Sequence, residues 1–76
     1  MNEIQKIKEA MTGVFAETDL PDDISGLKMD DFNEWDSVGN FNLLLAIEDS
    51  FKIRFDIDEI TTIRSVSQIL KSLEKK

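Results

Sequence analysis

Apolar residues return at Ile4, Ile7, Ala10, Met11, Val14 and Phe15, which places all six within an arc of about 140° on a helical wheel. Gln5, Lys6, Lys8 and Glu9 fall outside that arc. The pattern predicts an amphipathic helix over residues 3–18, with Asn2 as its N-cap and Gly13 as a mild interior weakness. From residue 19 to residue 36 neither helical nor strand periodicity holds for long. This stretch carries the only proline, Pro21, and Gly26, set among Asp and Ser, and so predicts a long loop. Its apolar points (Leu20, Ile24, Leu27, Met29, Phe32 and Trp35) are spaced to tack it onto a core. Structureless loops of that length are uncommon in small domains and are often functional.

Residues 37–50 predict a second helix, with Asp36 as its cap. Val38, Phe41, Leu43, Leu44, Leu45, Ala46 and Ile47, with Phe51 beyond them, cover more than one stripe. That predicts a central helix packed by several neighbours. Glu48 projects into the same arc. Its simplest reading is a stem packed on the core with the carboxylate reaching water or a backbone donor. Residues 51–57 alternate apolar and polar, but no second convincing strand exists to pair with them. They are expected to form an extended loop whose odd positions face the core. A short helical turn over residues 58–61 follows. Ser65 then caps a last helix reaching residue 73, with Val66, Ile69, Leu70 and Leu73 as its stripe and Lys71, Lys75 and Lys76 toward its C-terminal end. The expected fold is all-α in a single domain over residues 1–76: three main helices, a short one between the second and the last, and a long first loop.

Charge changes the picture more than size does. The 76 residues carry 9 Lys and Arg against 16 Asp and Glu, for a net charge of −7. Eight of the acids (Glu17, Asp19, Asp22, Asp23, Asp30, Asp31, Glu34 and Asp36) face Lys28 alone across residues 17–36. A surface of this sign repels phosphate backbones and anionic lipid, so neither nucleic-acid binding nor membrane insertion is expected. No stretch approaches the roughly eighteen consecutive apolar residues of a membrane span. The opening residues show no basic run followed by an apolar one, and there is no Cys for prenylation, so a cytoplasmic location is expected; the chain is also expected to be a monomer.

Absent residue types narrow the chemistry. Without Cys or His the chain lacks thiolate ligands, thiol nucleophiles and the commonest general base. The Asp and Glu pairs read as solvated faces, with no organised acid and base and no metal set, so the protein is expected not to be an enzyme. The acid-rich loop also fails as an EF-hand. With Gly26 at the obligatory turn position, position one would be Pro21, whose side chain cannot ligate.

Asp36-Ser37-Val38 is the specific feature. Ser37 stands at the first turn of the second helix, where backbone N–H groups lack intrahelical partners and favour an anion. A phosphodiester on Ser37 would lie beside those donors, with Asp36 sharing the cap. From this motif through Phe41, Leu44 and Leu45 to Glu48, Phe51 and Ile53, and on through residues 60–73, the chain resembles the acyl carrier protein family over essentially its whole length. The resemblance implies attachment of 4′-phosphopantetheine to Ser37 by a phosphopantetheinyl transferase that draws on coenzyme A. The arm's thiol would then hold an acyl or aminoacyl group as a thioester, importing a sulfur the chain itself lacks. Implied partners are that transferase, a loading ligase, and downstream transferases or synthases that dock through basic patches.

Departures from the family bear on the pathway. Positions early in the helix that are acidic in typical fatty-acid carriers read Gly39, Asn40 and Asn42. Charge gathers instead at Asp30, Asp31, Glu34 and Asp36, and at Glu48, Asp49, Asp56, Asp58 and Glu59. Together with Trp35 before the motif, this favours a dedicated carrier for a polyketide, peptide or polysaccharide-modifying pathway over a housekeeping fatty-acid carrier. A rival from another class is an acidic helical adaptor that binds a basic partner and is never modified. Leu45, Ile47, Phe55 and Ile63 match the family's acyl pocket or are plain core. The bulk of Phe55, if turned inward, favours a short or polar cargo. Val38 and Phe41 are candidates for partner contact, or Phe41 is simply buried.

Overall fold

A computed structural model of the chain describes residues 3–75. Four helices follow one another: α1 (Glu3–Val14), α2 (Ser37–Phe51), α3 (Ile57–Thr62) and α4 (Val66–Glu74). The expected N-cap Asn2 and the terminal Lys76 lie outside the described residues.

The core forms where the helical stripes meet the anchors of the first loop. Ile7 and Met11 of α1, Leu43, Leu44 and Ile47 of α2, and Val66 and Ile69 of α4 are buried together with Phe15, Ile24, Trp35, Phe55 and Ile63. α1 packs on both α2 and α4. α1 stops four residues short of its predicted end. Phe15 N still donates to Met11 O at 2.7 Å, but Thr18 N closes a tighter turn on Phe15 O at 3.0 Å. That turn brings the Thr18 hydroxyl to the Glu34 carboxylate.

The long loop is held as its sequence predicts. Phe32 and Trp35 close an aromatic cluster on Phe15, with ring centroids 5.2 and 5.7 Å from it. Three of its acids are spent on local structure. Asp31 accepts from Lys28 N and Nζ, both at 2.9 Å, Glu34 accepts from Thr18, and Asp23 accepts from Ser25 N and Oγ. An isolated antiparallel bridge, Lys28 with Ser65, joins the loop to the start of α4 through Met29 N to Arg64 O (2.6 Å) and Val66 N to Leu27 O (3.0 Å).

Two expectations need correction. α2 is not packed on all sides: Val38, Phe41 and Leu45 are 68%, 47% and 44% exposed. One face meets α1 and the first loop, and the other apolar positions are left toward solvent. The inward alternation of residues 51–57 holds through Phe51, Ile53 and Phe55, but Ile57 is 78% exposed. There the backbone enters α3, and side-chain direction changes from a period of 2 to one of 3.6. α3 also extends one residue past each predicted end. Asp56 and Glu59 form a reciprocal capping box, each side chain accepting from the other's backbone N–H at 2.9 and 3.0 Å. α4 begins where expected, with Ser65 Oγ accepting from Gln68 N.

Candidate functional site

Asp36 ends the loop in an extended conformation and caps α2. Its Oδ1 accepts from Gly39 N at 2.8 Å, and its carbonyl accepts from Asn40 N at 2.8 Å. Ser37 therefore occupies the first helical position, with its side chain exposed. With Gly39 N and Asn40 N both taken by Asp36, the N–H groups of Ser37 and Val38 remain at the positive end of the helix dipole. The expected pair, Ser37 and Asp36, is thus adjacent in space, with Asp36 holding the helix start rather than standing free.

Beside Ser37 opens a groove of about 300 Å³, lined by Met29, Asn40, Phe41, Ile60, Thr61 and Arg64. It draws residues from the loop, α2, α3 and the α3–α4 junction, so only the folded chain assembles it. An attached chain could lie in it. Ser37 thus joins an exposed hydroxyl, a helix N-terminus and an adjacent partly apolar groove.

Two residues next to Ser37 matter in ways that composition did not reveal. Asn40, 6% exposed, accepts from Trp35 Nε1 at 2.9 Å and donates through Nδ2 to the Ile63 carbonyl at 2.8 Å. It thereby ties the residue two before Ser37, the helix bearing Ser37, and the chain leaving α3. Gly39 is buried, and a Cβ there would fall on the Glu34 carbonyl oxygen and 3.1 Å from Phe15 Cε1. Only glycine lets the loop backbone lie this close to α2. Both residues carry low helix propensity in a helix interior, and that was the available signal. Of the three uncharged positions early in α2, only Asn42 faces solvent. Packing accounts for the lack of charge at Gly39 and Asn40.

The four residues left open between acyl pocket and plain core divide. Ile47, Phe55 and Ile63 are buried core, whereas Leu45 faces outward onto a separate surface groove with Glu48, Asp49, Lys52, Ile53 and Arg54. Phe55 is turned inward, and its N–H donates to Glu48 Oε2 at 2.7 Å. Of the two partners expected for Glu48, water or a backbone donor, it reaches a backbone donor. Phe41, left open between partner contact and burial, is half exposed beside Ser37, and Val38 is more so.

Among the described residues no group of three or more His, Cys, Asp or Glu is arranged to hold a metal ion, and no helix is long and apolar enough to cross a membrane. Hydrogen bonds from Lys28 Nζ and then Lys28 N hold the Asp31 carboxyl below its ordinary range, and those from Ser25 do the same for Asp23. Compared with models of known families, with curated proteins and with solved structures, the chain matches none.

Proposed function

We propose that this protein is a carrier modified with 4′-phosphopantetheine at Ser37 and is not itself an enzyme. The observation that carries the reading is the placement of Ser37: exposed, first in a 15-residue helix capped by Asp36, and opening on a groove. The spacing from Asp36-Ser37-Val38 to Glu48 and Phe51, with a chain-wide order of elements like that of acyl carrier proteins, supports the same reading.

In the modification the Ser37 hydroxyl attacks the β-phosphorus of coenzyme A. A Ser37 Oγ–P bond forms, the pyrophosphate P–O bond breaks, and adenosine 3′,5′-bisphosphate leaves. The hydroxyl proton passes to a base on the transferase. The α2 N-terminus offers N–H donors and a favourable dipole to the new phosphodiester, which partly offset its repulsion from Asp36. When bound, the group supplies a thiol that holds an acyl or aminoacyl cargo as a thioester. Met29, Phe41 and Ile60 give the arm apolar walls to rest against. Val38, Phe41 and Leu45 offer loading and downstream enzymes an exposed apolar strip along α2, with acids at Asp36 and Asp49 to meet basic patches. With Phe55 filling the core, a short or polar cargo in a dedicated biosynthetic pathway suits the chain better than a long fatty chain.

The same strip would serve an unmodified adaptor, so the fate of Ser37 separates the two. The test is intact mass after incubation with coenzyme A and a broad-specificity phosphopantetheinyl transferase, beside Ser37→Ala and a working control carrier. A gain of one phosphopantetheinyl group, absent from the variant, is expected. No gain on the folded protein would overturn the reading in favour of the adaptor.

A further inference from the structure

Arg64 is the one charged residue lining the groove beside Ser37. Its backbone is fixed on both sides: N–H donates to Gln68 Oε1 at 2.7 Å and the carbonyl accepts from Met29 N at 2.6 Å. Its side chain is exposed and makes no ion pair among the described residues. Lys28, close by across the bridge, is instead paired with Asp31 at 2.9 Å. Arg64 is thus an exposed cation with no ion pair among the described residues, and the other residues lining the groove are uncharged. The same residue also lines a second groove with Lys28, Met29, Asp30, Ser65 and Gln68.

We propose that Arg64 is the anion-recognition residue of the Ser37 groove, pairing with an oxyanion brought by a Ser37-linked arm, either the arm's own phosphodiester or a carboxylate on its cargo. The inference rests on the carrier reading. A guanidinium presents five N–H donors in a planar fork that matches both oxyanions, and it stays charged at any working pH. Met29, Phe41 and Ile60 give the groove apolar walls beside Arg64. A phosphodiester on Ser37 sets a second negative charge beside Asp36, and Arg64 is the groove's only cation to balance it. Arg64 is a positioning residue for the arm, not a catalytic one.

The chain has two arginines, Arg54 and Arg64, so the side-chain Nε–Hε resonances give a probe and an internal control. The spectra are compared for the unmodified, phosphopantetheinylated, butyryl-loaded and succinyl-loaded forms, with Arg64→Gln to assign the signal and intact mass to verify each form. A shift of the Arg64 resonance on phosphopantetheinylation, unchanged between butyryl and succinyl, identifies the phosphodiester as the oxyanion. A shift only in the succinyl form identifies a cargo carboxylate. In either case the shift recedes at high salt while Arg54 stays put. Arg64→Gln keeps the melting temperature of the unmodified protein, because the substitution leaves the backbone ties in place. If mass confirms every form and the Arg64 signal moves in none, this inference falls while the carrier reading stands. If no form gains mass, both fall.

Discussion

Asn40→Ala tests the link between fold and site most directly. The substitution removes the acceptor of the Trp35 indole N–H and the donor to the Ile63 carbonyl, both buried bonds of good length at 2.9 and 2.8 Å. A buried polar group left without a partner costs about 1–3 kcal/mol, so two orphaned groups cost about 2–6 kcal/mol. Asn40 borders the groove, and water entering from that side can satisfy one of them. The expected loss is therefore about 1–3 kcal/mol, a sizeable share of the roughly 5–15 kcal/mol that stabilises a typical domain. Urea denaturation followed by Trp35, the only tryptophan, reads the loss as a lower midpoint at unchanged slope. A thermodynamic cycle with Trp35→Phe, followed by circular dichroism, isolates the indole bond as a coupling of at least about 0.5 kcal/mol. A loss for Asn40→Ala within about 0.5 kcal/mol, the range of ordinary surface changes, would refute the argument that this network holds the start of α2 to the α3–α4 junction.

The two helical glycines should respond in opposite directions to alanine. Gly13→Ala has open space around its new methyl and gains helix propensity, raising stability by about 0.5–1 kcal/mol. Gly39→Ala drives a Cβ into the Glu34 carbonyl, a backbone atom that cannot swing aside, so stability drops despite the same propensity gain; equal effects in urea titrations would show that the loop does not lie against α2 there. The Lys28–Asp31 tie has a definite acid limit. Because the folded carboxyl titrates below its ordinary value of 3.8, its contribution is complete above that pH and is lost as pH falls through the lower folded value. The Lys28 amide resonance should report that transition and lose it in Asp31→Asn; an amide that ignores acid in the wild-type chain would contradict the tie.

The recurrence of apolar residues in the first and last helices, the caps Asp36 and Ser65, and the anchors along the loop were all legible in the sequence, because each depends on residues a few positions apart. Ser37 was legible for the same reason: helix caps and first turns are local. Glu48 was half legible, since its need for a donor followed from its position and the donor's identity, Phe55 N, did not. The capping box of α3 could have been read from Asp56 and Glu59, and it explains why Ile57 leaves the alternating pattern.

What the tertiary structure alone decided is which apolar residues found partners. Val38, Phe41 and Leu45 look as core-like in sequence as Leu43, Leu44 and Ile47, yet the other three helices and the first loop leave one side of α2 uncovered. The groove at Ser37 brings Met29, Asn40, Ile60 and Arg64 together from three separate stretches, and the contact of Gly39 with Glu34 depends on how the loop folds back. Periodicity fixes where each side chain points relative to its own helix axis. Which neighbour lies there is set by closing a loop of more than twenty residues onto the helix that follows it, and no local pattern encodes that closure.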